Sequence, residues 1–484
     1  MARANALCRL LLVSLLLLPA VGRAAPRDAG APRPPNVVIV FTDDQGWGDL
    51  SCYGQTGFAT PAIDQLATEG MRFTDFYVAQ PVCSASRAAL LTGCYPNRIG
   101  ISGALGPAAK HGLHPDETTI AELVKPLGYA TAIFGKWHLG HLPPFLPTKH
   151  GFDRYEGLPY SNDMWPGHPE TPKAWPPLPW IVQDEVGEII EDFDDQETIT
   201  NRLTDAAVEF IETQEKEPFL LYLAHPMPHV PLGVSPKFRH TTRYGVYGDV
   251  IREIDHSVGR LRSALERTGV LDDTIFIFTS DNGPWLSYGD HAGTTGGLRE
   301  GKGTTFEGGV RVPCVVRYPR LVPAGSVSRA PWMTIDVLPT IAEILGAGLP
   351  EATIDGRSVV PIWRGDEEAR SPQEAYFFWY HRSNLEAMRS GRWKLHFPHK
   401  YRTVIGEPPA NNGLPTRYDY GARIGLSLFD LEADPNETTD VSAAHPEVVA
   451  RLTALADAMR ARLGDRLTEV EGNETRPPGR VGGE

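Results

Sequence analysis

Asn36-Val-Val-Ile-Val-Phe-Thr-Asp-Asp-Gln-Gly46 is the stretch whose reading decides the fold. From Val37 to Phe41 every residue is apolar and most are β-branched, with Pro34-Pro35 before the run and Asp43-Asp44 after it. A short run that is apolar at every position, rather than at alternate ones, marks a strand buried on both faces. Ala130 to Phe134, Phe219 to Ala224, Thr274 to Thr279 and Val312 to Val316 repeat the pattern. Helical patterns lie between them: one begins at Thr60-Pro61 and ends near Gly70, and the clearest runs through Val250, Ile254, Val258, Leu261 and Leu265. Strands alternating with helices predict an α/β fold, a large mixed, mostly parallel sheet between helices.

The pattern changes after about Trp363. Glu374 to His381, Arg392 to Phe397 and Leu426 to Leu431 read as strands with no helix between them, and Pro446 to Leu463 as one amphipathic helix. A small C-terminal antiparallel sheet plus helix is expected there. Pro159 to Pro179, dense in Pro and carrying Trp165 and Trp175, reads as a long ordered surface loop.

At the other end, Arg3 and Arg9 precede the apolar run Leu10 to Ala20, and small residues follow at Gly22, Ala24 and Ala25. This is the pattern of an export signal, too short to span a bilayer comfortably. The division expected is 1–25 signal peptide, 26–35 linker, 36–365 main α/β domain and 366–484 small C-terminal subdomain. The mature chain is expected to be secreted or periplasmic, with no membrane span. The signal would remove Cys8, leaving Cys52, Cys83, Cys94 and Cys314 as one or two bridges or as buried thiols.

Over 484 residues, 41 % hydrophobic content supports a sizeable core and excludes whole-chain disorder. The balance of 46 Lys+Arg against 60 Asp+Glu argues against nucleic acid or an anionic membrane as the main partner. An anionic substrate would have to find a local basic pocket.

The chemistry starts at two strand ends. Ile277-Phe-Thr-Ser-Asp-Asn-Gly283 is a near copy of Val40-Phe-Thr-Asp-Asp-Gln-Gly46. Ligands bind beyond the carboxyl ends of strands in α/β sheets, so Asp43, Asp44, Asp281 and Asn282 are aimed at one edge. Either copy alone is as well explained by a turn. Together they predict a hard divalent ion, Ca²⁺ or Mg²⁺, whose charge relieves carboxylate repulsion.

Pro81-Val-Cys-Ser-Ala-Ser-Arg-Ala-Ala-Leu-Leu-Thr-Gly93 places Cys83 at the head of a helix with Arg87 in its first turn. A helix N-terminus and an Arg would lower a thiol pKa and attract an anion. A cysteine nucleophile and a buried structural cysteine are both open on this alone.

These residues resemble the type I sulfatases of the alkaline phosphatase superfamily, whose signature is Cys-x-Pro-Ser-Arg followed by Leu-x-Thr-Gly. The chain has Cys83-Ser-Ala-Ser-Arg87 and Leu90-Leu-Thr-Gly93, with Ala85 in place of the usual Pro. Phe134-Gly-Lys-Trp-His-Leu-Gly140, Gly157-Leu-Pro-Tyr-Ser-Asn-Asp163, Gly301-Lys-Gly-Thr-Thr-Phe-Glu-Gly-Gly309 and Leu428-Phe-Asp-Leu-Glu-Ala-Asp-Pro-Asn-Glu437 are similar to family segments, in the family's order. The likeness is to the arylsulfatase A and N-acetylgalactosamine-6-sulfatase branch.

The resemblance implies an alkaline phosphatase-like fold and a sulfuric ester hydrolase acting on a sulfated sugar, polysaccharide or aryl sulfate. It also implies a partner, the formylglycine-generating enzyme, that converts Cys83 to Cα-formylglycine. Of the two hydroxyls on the hydrated aldehyde, one is bound to the metal and attacks sulfur, and the second expels sulfate. Cys83 thus joins Asp43, Asp44, Asp281 and Asn282 around the ion. Arg87 and Lys136 hold the aldehyde. His138, two residues from Lys136 and so on the same side of an extended segment, takes a proton. Ser161 lies beside the nucleophile, His229 faces the substrate and Lys302 binds sulfate, with His225 competing with His229. Two other readings stay open: a phosphatase or phosphodiesterase of the superfamily, usually with His-rich zinc sites, and a non-catalytic sulfated-glycan-binding protein should Cys83 stay a thiol. Oligomeric state is not legible.

Overall fold

The computed structural model describes residues 33–214 and 217–482; the expected signal peptide lies outside the described residues. Its centre is the strand Asn36–Thr42, buried at all seven positions. Parallel neighbours flank it on both sides, Phe219–Ala224 and Thr274–Ser280. Outward from Phe219–Ala224 the sheet continues through Ala130–Gly135 and Arg154–Gly157, both parallel, to the antiparallel hairpin Leu178–Val182/Glu185–Ile190. Outward from Thr274–Ser280 it reverses at Arg311–Arg317, which pairs antiparallel on both edges, and ends with Met71–Tyr77 and Ser326–Ser328. The sheet is therefore large, mixed and parallel at its heart, as the apolar runs predicted.

The alternation of side chains shows why a fully apolar run was required. Val37, Ile39 and Phe41 enter one core with the helices Cys83–Thr92 and Val337–Leu345. Val38 and Val40 enter a second core with Phe193–Thr213 and Val246–Arg267.

The predicted helix at Thr60-Pro61 spans Pro61–Glu69, although Thr60 Oγ1 bonds the Asp64 and Ser51 side chains and accepts from the Ser51 backbone N–H rather than from an N–H of the helix. The tail forms the antiparallel sheet Tyr376–Tyr380, Asn384–Ser390, Trp393–His396, Ser427–Asp430, with the helix Pro446–Leu463 following. The strand Asn384–Ser390 had no signal in the alternation because it is buried from Leu385 onward despite Glu386 and Arg389. A further ribbon pairs His399–Thr403 with Asp419–Ile424. The Pro-rich loop yields to a strand at Leu178, and its Trp165 is buried.

Cys52, Cys83, Cys94 and Cys314 are all free thiols, so the bridging alternative is not met. No described helix is long and apolar enough to cross a membrane.

Candidate active site

The in-register pairing of Phe41 with Thr279 and Thr42 with Ser280 carries both strands to the same edge. There the Asp44 backbone N–H donates to Asp281 Oδ1 at 3.1 Å, and Asn282 Nδ2 donates to Asp44 Oδ1 at 2.7 Å. Asp43, Asp44, Asp281 and Asn282 thus form one buried cluster. Asp44 adopts φ 64, a left-handed conformation that Asp tolerates better than most residues.

The carboxylates were expected to need a cation against mutual repulsion. The protein supplies three of its own. Arg87, one turn into the Cys83–Thr92 helix, donates to Asp43 Oδ2 at 3.0 Å and to Asp281 Oδ2 at 2.8 Å, and also to the Lys136 carbonyl. Lys136, just past the strand Ala130–Gly135, pairs with Asp43 and donates to Ser161 Oγ at 3.0 Å. Lys302 reaches Asp44 Oδ1 at 2.7 Å. Burial works against the Asp43 carboxylate, yet Lys136, with His229, Arg87 and Lys302, holds its pKa well below the ordinary value. Burial likewise favours a neutral Lys302, and Asp44 with its neighbours overrides it, raising the amine's pKa.

Cys83 begins the helix and is 2 % exposed. Its Sγ lies with oxygens of Asp43 and Asp44 and a ring nitrogen of His229 in a group whose atoms are all within 4.8 Å of one another. The expected acidification of the thiol is not found. Burial pushes it up to about 12, and the Lys136 and Lys302 charges do not offset that. Arg87 is committed to Asp43 and Asp281.

His229 presents Nε2 to Asp44 Oδ2 at 3.6 Å. Its Nδ1 lies 2.7 Å from the Val230 carbonyl, an acceptor only, so Nδ1 carries the proton and Nε2 is free for the site. His225 instead meets Ser257 at 3.0 Å, and burial lowers its pKa to about 3. His138 does not stand in an extended segment beside Lys136. The strand ends at Gly135 and His138 takes φ 61. Both its ring nitrogens are buried without a partner, and burial, then the Lys136 and Arg87 charges, hold its pKa well down.

Three neighbours were not assigned to the site from sequence. Trp285 takes the Lys302 ammonium over its ring at 4.5 Å and meets the His229 ring at 5.3 Å. Tyr380 packs on Val82, Cys83 and Ala85, and Arg402 donates to the Lys302 carbonyl at 3.1 Å. Both come from the tail, more than ninety positions beyond the residues they touch, and no local pattern announces them.

Residues 35–347 match the family model described as Sulfatase, and 371–478 match the C-terminal region of aryl-sulfatase. The chain belongs to the sulfatase family. It is 37 % identical to human arylsulfatase A over 94 % of this chain and 92 % of that one. It is 38 % identical to N-acetylgalactosamine-6-sulfatase of Canis lupus familiaris, covering 93 % and 90 %. Among solved structures, the PsFucS1 sulfatase from Pseudoalteromonas sp. superposes with a TM-score of 0.79 at 30 % identity, covering 89 % and 90 %. This sulfatase is accordingly a sulfuric ester hydrolase with the alkaline phosphatase-like architecture its sequence suggested.

Proposed function

We propose that this sulfatase is exported and releases sulfate from a sulfated carbohydrate, using a formylglycine made from Cys83 and one Ca²⁺ or Mg²⁺ ion. The observation that carries the reading is the meeting of Cys83 with Asp43, Asp44 and His229 at the head of a buried helix. A hydrated aldehyde at position 83, once formed, would supply one hydroxyl for attack on sulfur and a second whose proton loss releases sulfate. The sugar is supported by the kinship to an N-acetylgalactosamine-6-sulfatase, and export by the N-terminal pattern of Arg3, Arg9 and Leu10 to Ala20.

The donor set fits a hard cation. Asp43 Oδ1 and Asn282 Oδ1 are buried oxygens with no hydrogen-bond donor, a costly condition that an ion would relieve. Asp43, Asp44, Asp281 and Asn282, with the group at position 83, would hold it. Bound there, it would lower the pKa of a coordinated hydroxyl and polarise a sulfate oxygen.

The chain's own groups do the rest. Arg87 and Lys136 hold the nucleophile's surroundings, with Ser161 fixing the Lys136 amine. Lys302 stays charged and neutralises sulfate. His229, carrying a proton on Nε2 as well as on Nδ1 for this step, gives the Nε2 proton to the leaving oxygen. His138, kept neutral with unpartnered nitrogens, accepts the proton of the second hydroxyl. Catalysis is assigned to 36–365, and 366–484 flanks the site through Tyr380 and Arg402.

Mass spectrometry of the Cys83 peptide, beside a sulfate-release screen on defined sulfated sugars, tests the reading. An aldehyde at position 83 in active protein is expected. Active protein with only thiol there sinks it, as does stoichiometric zinc without calcium or magnesium. A protein that binds sulfated glycans without cleaving them would establish the binding-module alternative.

A further inference from the structure

Beyond Arg402 lies a cavity of about 720 Å³, walled by the ribbon His399–Thr403/Asp419–Ile424 and by His381 and Asn384. Its charge is one-sided. Lys400, Arg402 and Arg423 line it, and among the described residues no Asp or Glu does, although the chain as a whole carries −14. Lys400 and Arg423 stand directly opposite each other in the ribbon's register. Like charges paired across strands are destabilising, so this arrangement asks for an anion between them.

The wall also offers ring faces. Tyr420 lines the cavity and is 59 % exposed, the state of an aromatic free to stack on a sugar. Arg402 lies over Tyr418 at 4.5 Å.

Two contacts join this cavity to the catalytic cluster. The Arg402 guanidinium donates to the Lys302 carbonyl and rests within 2.2 Å of where a Cβ on Gly303 would stand, a position whose φ of 77 also favours glycine. On the other side Tyr380 packs against the cluster of Val82, Cys83 and Ala85, and the next residue, His381, lines the cavity.

We infer that this cavity is a subsite for a second acidic group, a carboxylate or sulfate on the sugar next to the one being desulfated. The substrate is then a multiply anionic oligosaccharide or polysaccharide rather than an isolated monosulfate. The inference rests on the proposed carbohydrate sulfatase activity and narrows it.

The test uses full-length active enzyme and the variants Lys400→Ala, Arg423→Ala and their combination. Three defined hexasaccharides each carry one scissile sulfate ester, flanked by uronic acids, by sulfated sugars or by neutral sugars; nitrophenyl sulfate is the fourth substrate. In the double variant, kcat/KM for a charged-flank substrate divided by that for nitrophenyl sulfate should fall about tenfold or more, chiefly through KM. The wild-type preference for charged flanks should also weaken with added salt. Which charged hexasaccharide responds identifies the carboxylate or the sulfate as the natural group. Equal losses on all four substrates, or none, overturn the subsite.

Calorimetric titration of Cys83→Ala protein with the same hexasaccharides reads the subsite without turnover. About tenfold weaker binding of a charged hexasaccharide in the triple variant supports it, and unchanged affinity overturns it. Absence of sulfate release from every substrate, with this binding difference intact, would fail the catalytic reading alone.

Discussion

The strand-end cluster and the tail ribbon hold their charges in opposite ways. At the strand ends Asp43, Asp44 and Asp281 meet Arg87, Lys136 and Lys302, all of them buried. On the ribbon Lys400 and Arg423 face each other and solvent, with no acid among the described residues lining their cavity. The first arrangement is matched within the protein, so its groups are fixed before any ligand arrives, and breaking it is costly. The second is unmatched, so it draws an anion from a distance, but each contact is weakened by water and salt. One region is built for orientation, the other for capture.

Replacing the proposed nucleophile should break the first region most completely. Cys83→Ala is expected to remove sulfate release on every substrate while costing about 1 kcal/mol of stability, since only a small buried group is lost. Parallel rate and denaturation measurements check this, and residual turnover above about one part in a thousand would contradict a covalent role. Asp281→Ala should come next, because it strips Arg87 of a buried partner. A loss of about 3–5 kcal/mol in denaturant unfolding is expected, together with lost ion content and activity. A variant that keeps both stability and ion would show that the cations are not matched as described.

His229→Ala sharpens the division of labour within the cluster. A sugar alkoxide needs protonation as it leaves and a nitrophenolate does not. The sugar-sulfate rate should therefore fall about a hundredfold further than the nitrophenyl-sulfate rate. Lys302→Ala should depress both rates together. Equal losses for His229→Ala would remove it as the acid. The smallest effect belongs to the ribbon: Lys400→Ala should leave stability unchanged or raise it by a few tenths of a kcal/mol, since a cross-strand repulsion disappears. A clear loss in a ligand-free melt would show that the pair is not repulsive.

The sequence disclosed the parts of this site that rest on local grammar. Two strands ending in Thr-Asp-Asp-Gln-Gly and Thr-Ser-Asp-Asn-Gly announced the cluster because an apolar run fixes where its last polar residues emerge. His138 was misjudged in conformation because the alternation rule assumes a strand that continues, and this one stops at Gly135. The Cys83 thiol was expected to be acidified, since helix and Arg are local signals, whereas burial and the prior commitments of Arg87 are not. Tyr380 and Arg402 reach the site by tertiary packing, which no spacing rule in one chain reveals. The hairpin at Leu178–Ile190 escaped notice because six of its eleven strand residues are exposed and its first strand carries Pro179.

The pairing of Val40 with Phe278 and of Phe41 with Thr279 has a consequence for how damage to this enzyme would show itself. Asp43 and Asp281 are spaced by the sheet, as two fittings drilled from one straight edge keep their distance whatever is hung on them. A one-residue slip between those strands would turn one carboxylate to the opposite face. Substitutions deep in the sheet, at Ile39 or Ile277 for example, would then register as weakened ion binding in a protein that still unfolds cooperatively. Such variants would be mistaken for active-site lesions although no residue of the active site had been replaced.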